Sequence, residues 1–401
     1  MKMKMKIAIL FEGNPKKPGG FYQSLQSLLM LNEIKSDEFE FECICLEKET
    51  YAYLKDKIKV KLFKQNIEYK IFNFFLNSEF FNNLIIRYNI KHPFASFIEK
   101  NHYDLIIFLS PHILATYCGK TNFIFNIWDI DHKKNTPYPE HRINYNYKKR
   151  ENLIQFALFH AFKIIVPDKK INRELKQIYK CDEKKLKIQN FIPFIPGFYE
   201  KDKNCNYEKI FERFNLKDKK FILYPATFWP HKNHQYLIDV AKIFKRNQKK
   251  DFIFVLCGSD KGNLKKIKSE IKNFELNEYF RIFEFVDDRG LISLYLNSSM
   301  VLMPTDGGPT NLPMFESFYF KKILFYSDHL IDKDDELNNF FVGINIRKPE
   351  DFYQKLYNFD ENKKKEMVKK AKEFYEQKCS NKVFKDNYLE AISQFISIKN
   401  W

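Results

Sequence analysis

No stretch of this sequence reaches the roughly 20 consecutive apolar residues needed to span a bilayer, so the chain is not expected to cross a membrane. The apolar run that follows the N-terminal MKMKMK, residues 7–11, is too short for the core of a signal peptide and reads as a first β-strand. Cysteine is sparse: seven dispersed residues, of which only Cys43 and Cys45 stand close together. There is no CxxC pair and no Cys/His grouping at zinc-ligand spacing, which argues against a metal site. Scattered, odd-numbered thiols suit a reducing compartment, and the expected location is the cytoplasm. The chain also lacks long low-complexity segments, short-period repeats, a GxGxxG fingerprint and the GK[ST] ending of a P-loop.

What is present is ample apolar material. Across 401 residues, 44% are hydrophobic and 17% aromatic, which excludes wholesale disorder. That length implies two domains of roughly 150–200 residues each. The net charge of +17 invites a nucleic-acid or membrane partner. Its lysines, however, are spread along the chain and mixed with Asp, Glu and Asn, so the charge reads as compositional bias and no nucleic-acid partner is expected. One aromatic-rich amphipathic segment, residues 72–88, reads as core helix before membrane anchor, although Lys and Arg flank it.

Short buried-strand patterns alternate with helical ones in two successive halves, the mark of an α/β protein with parallel sheets. The first half carries strand patterns at 7–11, 39–46, 105–109, 122–127, 164–167 and 187–194. Pro193, Pro196 and Gly197 with a polar 201–206 then read as linker. In the second half, strands at 221–225, 252–258, 280–286 and 300–304 lead to LMPTDGGPTNLPMFESFYFKKILFYSD, residues 302–328. This strand, Gly-rich loop, helix and strand can present backbone N–H groups and a helix N-terminus to an anion, with Glu316 about one turn into the helix. A tight βα turn with a solvated Glu has the same pattern. Gly19 and Gly20, between the first strand and first helix, form another potential anion nest. At the end of strand 122–127 gather Asp129, Asp131 and His132, where side chains of parallel strands face a ligand crevice. A satisfied structural histidine is the alternative for His132.

With both halves laid out, the sequence resembles the family-4 glycosyltransferases: retaining, metal-independent enzymes that use a nucleotide sugar. The resemblance rests on GPTNLPMFESFYFKKILFYSD, FILYPATFWPHKN, FVLCGSD and FEFVDD, in the family's order. It implies two Rossmann-like domains facing each other across a cleft (the GT-B type), a nucleotide-sugar co-substrate and no metal or other cofactor. Lys232 matches the pyrophosphate-binding lysine, within a loop of Thr227, His231 and Asn233. Gly308, Pro309, Thr310, Asn311 and Leu312 form the loop and helix start facing the phosphates, and Gly19 and Gly20 resemble the first-domain loop facing them. Glu316 matches the acceptor of the ribose hydroxyls. Val286 lies in the base-reading turn. His132 is the candidate for contact with the donor sugar, with Asp129 or Asp131 as alternatives. His132, Asp129, Lys232 and Glu316 are the expected catalytic set.

Two positions depart from the family. A Glu usually stands eight residues before the second Glu, where this chain has Gly308. An Arg usually stands five before the Lys, where it has Thr227, and His231 compensates weakly at best. The resemblance implies hexosyl transfer to a glycan acceptor, lipid-linked and held at the inner face of the cytoplasmic membrane, where a basic, aromatic first half could meet anionic lipid. A catalytically silent nucleotide-binding partner of another transferase and a basic polyanion-binding protein are the alternatives. The expected organisation is an acceptor domain 1–195, a linker 196–217, a donor domain 218–380 and a C-terminal helix 381–401 returning to the first domain.

Overall fold

Runs such as Ile7–Phe11 and Leu105–Phe108, apolar at every position, have no polar face to give to water, and a parallel sheet covered on both sides is where such strands go. A computed structural model of the chain describes residues 4–13, 20–76, 91–134, 138–142, 146–217, 219–308 and 311–399, with the backbone alone described at 20–23, 73–76, 140 and 141. Two parallel sheets result.

The first contains β1 (Met5–Phe11), β2 (Phe39–Cys45), β3 (Val60–Leu62), β4 (Leu105–Phe108), β5 (Asn122–Asn126), β6 (Lys163–Val166) and β7 (Leu186–Ile188), in the order β3-β2-β1-β4-β5-β6-β7. The second contains β8 (Phe221–Pro225), β9 (Ile253–Cys257), β10 (Phe280–Phe283), β11 (Met300–Met303), β12 (Leu324–Ser327) and β13 (Val342–Ile344), in the order β10-β9-β8-β11-β12-β13. Each sheet runs outward from its first strand, then returns to that strand's other side. The switch point therefore lies between β1 and β4 in one sheet and between β8 and β11 in the other, and it is there that open α/β sheets bind ligands.

The chain divides into two compact units: Met1–Ile130, Tyr145–Ile192 and Asn381–Trp401 form one, and Asp131–Asn144 with Pro193–Ser380 form the other. Thus the segment after β5 clusters with the later half. The C-terminal helix, Asn381–Lys399, packs within the first unit, where the Tyr388 hydroxyl donates to Asn126 Oδ1 at 3.1 Å and the Asn387 amide to Gln189 Oε1 at 2.8 Å.

Some elements depart from the sequence patterns. The strand expected over 187–194 is only the three residues of β7, and Phe194 already opens a helix. Residues read as linker are two short helices, Phe194–Lys201 and Tyr207–Glu212. Pro196 is tolerated because it sits in the first turn, where its missing N–H has no intrahelical acceptor to lose. The lysine-bearing edge strand β3 carries no continuous apolar run and gave no strand signal. Of the aromatic segment 72–88, residues 72–76 end helix Ile67–Leu76 and 77–90 lie outside the described residues. Among the described residues no helix is long and apolar enough to cross a membrane.

Candidate functional site

At the switch point of the second sheet, the turns after β8 and β11 and the end of β12 are tied together by hydrogen bonds to backbone carbonyls. Tyr224 donates its hydroxyl to the Lys232 carbonyl at 2.7 Å. The Asp306 N–H donates to the His231 carbonyl at 2.8 Å, and Ser327 Oγ donates to the Thr305 carbonyl at 2.6 Å. Asn233 ends the turn Pro230–Lys232 in the left-handed region (φ 51°), a conformation Asn tolerates better than most, and opens helix His234–Arg246.

On this frame several of the singled-out residues converge. Lys232 Nζ donates to Asn311 Oδ1 at 2.7 Å, and Asn311 Nδ2 donates to the Gly308 carbonyl at 2.9 Å and the Tyr326 hydroxyl at 2.7 Å. Gly308, at φ 77°, needs the freedom of a glycine. Its N–H donates to Asp131 Oδ2 at 2.5 Å, so a carboxylate already stands at the loop's backbone donor. Asn311 precedes helix Leu312–Tyr319, whose second residue is Pro313 and contributes no N–H. The cationic head of Lys232, the Gly308 loop and the helix start thus share one place, one chemically suited to an anion.

Glu316 is buried one turn into that helix and accepts the Tyr295 hydroxyl at 2.6 Å. Burial pushes its carboxyl up to about 7; Tyr295 opposes the shift, and the charge of Asp288 adds to it. Asp288 is itself raised to about 6 by burial and by neighbouring Asp287. A solvated surface Glu is excluded. Asp306, beside the loop, accepts the Tyr138 hydroxyl and pairs with His329 Nε2 at 3.0 Å. Burial alone would raise Asp306, but these two partners hold it below the usual carboxylate range.

The other expected residues lie on neighbouring turns or in the first unit. Thr227 follows β8, and Gly258 approaches it so closely that a Cβ there would meet the Ala226 carbonyl oxygen at 2.3 Å. Val286 precedes Asp287, which caps helix Asp288–Asn297 by accepting the Gly290 N–H at 2.7 Å. His132 is fully buried in the short turn Asp131–Lys133, and its neighbour Asp131 is the residue that reaches the Gly308 loop. Asp129 belongs to the first unit and pairs with Arg150 at 2.6 Å. Gly20 begins helix Gly20–Asn32 in the first unit, whereas Gly19, Pro309 and Thr310 lie outside the described residues. Tyr295, Asp288, Tyr326, Asp306, Tyr138 and His329 escaped the sequence reading. Asp288 and Tyr295 share helix Asp288–Asn297, but they and the others reach the site from separate segments of the chain, so no contiguous motif marks them. Among the described residues no group of three His, Cys, Asp or Glu side chains is placed to hold a metal ion.

Residues 206–378 match the family model described as glycosyl transferases group 1. No curated protein matches the chain. Among solved structures it is similar to HepE of Anabaena in complex with UDP-glucose, at 16% identity and TM-score 0.69 over 97% of this chain and 100% of that one. It is similar also to a glycosyltransferase from Rickettsia africae ESF-5, at 17% and 0.69 over 98% and 99%. A variant of S. aureus TarM in complex with fondaparinux, alpha-GlcNAc-glycerol and UDP aligns at 12% and 0.64 over 97% and 99%. At such identities the likeness establishes the fold, two Rossmann-like units of the GT-B type.

Proposed function

We propose, for a chain that belongs to the glycosyl transferases group 1 through its residues 206–378, that it moves a hexose from a nucleoside diphosphate to a glycan hydroxyl with retention of configuration. The observation that carries this reading is the meeting of Lys232, Asn311 and the Gly308 loop at the switch point of the second sheet, with buried Glu316 behind it. When the bond between the anomeric carbon and the diphosphate breaks, negative charge grows on the departing oxygen. Preorganised cations and N–H donors are what stabilise such charge, and they cost no reorganisation at that moment. Lys232 takes this role, assisted by N–H groups at the start of helix Leu312–Tyr319; no metal enters the proposal. Glu316, once ionised, is an acceptor suited to two neighbouring ribose hydroxyls. HepE was solved with UDP-glucose and TarM with UDP, which favours a uridine nucleotide as the first donor to try. The acceptor is proposed to be a growing surface glycan, lipid-linked at the inner face of the cytoplasmic membrane.

The test is release of UDP from UDP-glucose and a panel of other nucleotide sugars by purified protein, with Lys232→Ala and Glu316→Ala beside it. Loss of turnover by at least about tenfold in both is expected; unchanged turnover in both would remove these residues from the site. A second reading is a silent nucleotide-binding partner. It draws on Gly308 and Thr227, which stand where the resemblance expects Glu and Arg, and binding of UDP without turnover of any donor selects it.

A further inference from the structure

Two side chains from the segment that follows β5 are seated on the loop that carries Gly308. Asp131 accepts the Gly308 N–H through Oδ2 at 2.5 Å. Seven residues further on, the Tyr138 hydroxyl donates to Asp306, two residues before Gly308 in the same loop. The loop itself is held firmly. Thr305 Oγ1 donates to the Gly307 carbonyl at 2.9 Å, and the Asp306 N–H to the His231 carbonyl at 2.8 Å. The Asp306 carboxylate also pairs with His329 Nε2 at 3.0 Å. Asp131–Asn144 clusters with the second unit, whereas the chain that ends at Ile130 and resumes at Tyr145 belongs to the first. The segment is thus a strap, continued at both ends by chain of the first unit.

The Gly308 N–H offers a single hydrogen, and Asp131 takes it. A phosphate oxygen brought to the same hydrogen would touch Asp131 Oδ2, and two negative charges in contact repel. We propose that Asp131 is a built-in competitor of the donor's diphosphate, so that the nucleotide binds at Gly308 by unseating the strap. Tyr138 makes the competition effective. Its bond to Asp306 keeps the carboxylate at the loop, where it acts at the high local concentration of a tethered ligand. A nucleotide that needs the unseated state binds more weakly in proportion to how seldom that state is populated. Asn311 shows the contrast: it holds Lys232 through a neutral amide oxygen and sets no charge against an incoming anion.

The inference rests on the transferase reading above, in which the Gly308 loop meets the diphosphate, and its test separates the two. UDP, inorganic pyrophosphate and UDP-glucose are titrated by calorimetry into wild type, Asp131→Asn, Asp131→Ala, Tyr138→Phe and the double variant Asp131→Ala/Tyr138→Phe. UDP and pyrophosphate are expected to bind Asp131→Ala about tenfold more tightly than wild type. Asp131→Asn, which keeps the shape without the charge, should show part of that gain. Tyr138→Phe should tighten binding too, but the double variant should bind no more tightly than Asp131→Ala, because the tether then has no carboxylate to present. A gain in affinity cannot come from misfolding. In wild type, saturating UDP should also speed tryptic cleavage after Lys133 and Lys134 in the strap, whereas Asp131→Ala should be cut quickly with or without UDP. Unchanged or weaker UDP binding in Asp131→Ala overturns the proposal, as does protection of Lys133 and Lys134 by UDP. So does weaker binding of UDP-glucose with UDP unaffected, because Asp131 would then read the donor's sugar. Absence of binding by wild type and every variant overturns the transferase reading together with this one.

Discussion

A carboxyl group with a pKa of about 7 changes its charge within the working range of a cell, and Glu316 is such a group. If its ionised form holds the ribose, affinity for UDP should fall as pH drops through about 7, which calorimetric titration across that range will show. Tyr295 lowers the Glu316 pKa by donating its hydroxyl. Tyr295→Phe should therefore move the midpoint of that profile upward. The same shift has a consequence for stability. The folded protein binds more protons than the unfolded chain between about pH 4.5 and 7, so this group costs stability as pH rises through that window. Glu316→Gln should melt higher than wild type above pH ~7, and the difference should close as the pH falls toward about 4.5. At this scale the sequence pointed to Lys232, Asn311 and Glu316 because each sits in a contiguous motif. It was silent on Tyr295 and Asp288, whose meeting with Glu316 depends on how separate helices pack. Of His132 and its alternatives Asp129 and Asp131, all picked out by their place at a strand end, His132 is buried and Asp131 reaches Gly308, a difference that depends on packing.

Among the elements, the two sheets were legible because buried parallel strands read as short unbroken apolar runs. Edge strand β3 and the helices at Phe194–Lys201 and Tyr207–Glu212 were not, since partial burial and a Pro-Gly pair disguise them. The turn after β8 depends on the near contact of Gly258 with Ala226 and Thr227. Gly258→Ala would force these backbones apart and should lower both the urea midpoint and the affinity for UDP. At the start of helix Asp288–Asn297, Asp287 caps the Gly290 N–H and pairs with Arg213. Asp287→Ala should cost about 0.5–2 kcal/mol of stability by urea unfolding, the range for a lost N-cap. The Arg213 pair is half exposed and should add little to that figure.

For the molecule as a whole, the last helix completes the first unit rather than the second. Tyr388 is fully buried with its hydroxyl on Asn126, and Lys385 pairs with Glu33 at 2.7 Å. Tyr388→Ala should cost about 3–5 kcal/mol, as large aromatic truncations do, and a chain ending at Ser380 should lose the stability of the first unit in urea or heat. Such a return across the chain order is invisible to local patterns, because the amphipathic stripe of residues 381–399 says that one face is buried but not against what. The clustering of Asp131–Asn144 with the second unit is hidden for the same reason. The sequence by itself determined the class: two parallel-sheet units, from apolar runs that only a sheet covered on both faces can bury. It also supplied the Lys232 and Gly308–Glu316 motifs, whose members are close in the chain and so stay close in any fold. Tertiary structure alone decided that Asp131 meets Gly308 and that Glu316 is desolvated beside Tyr295. Each of those depends on which strands become neighbours, and that is settled by packing across the whole unit.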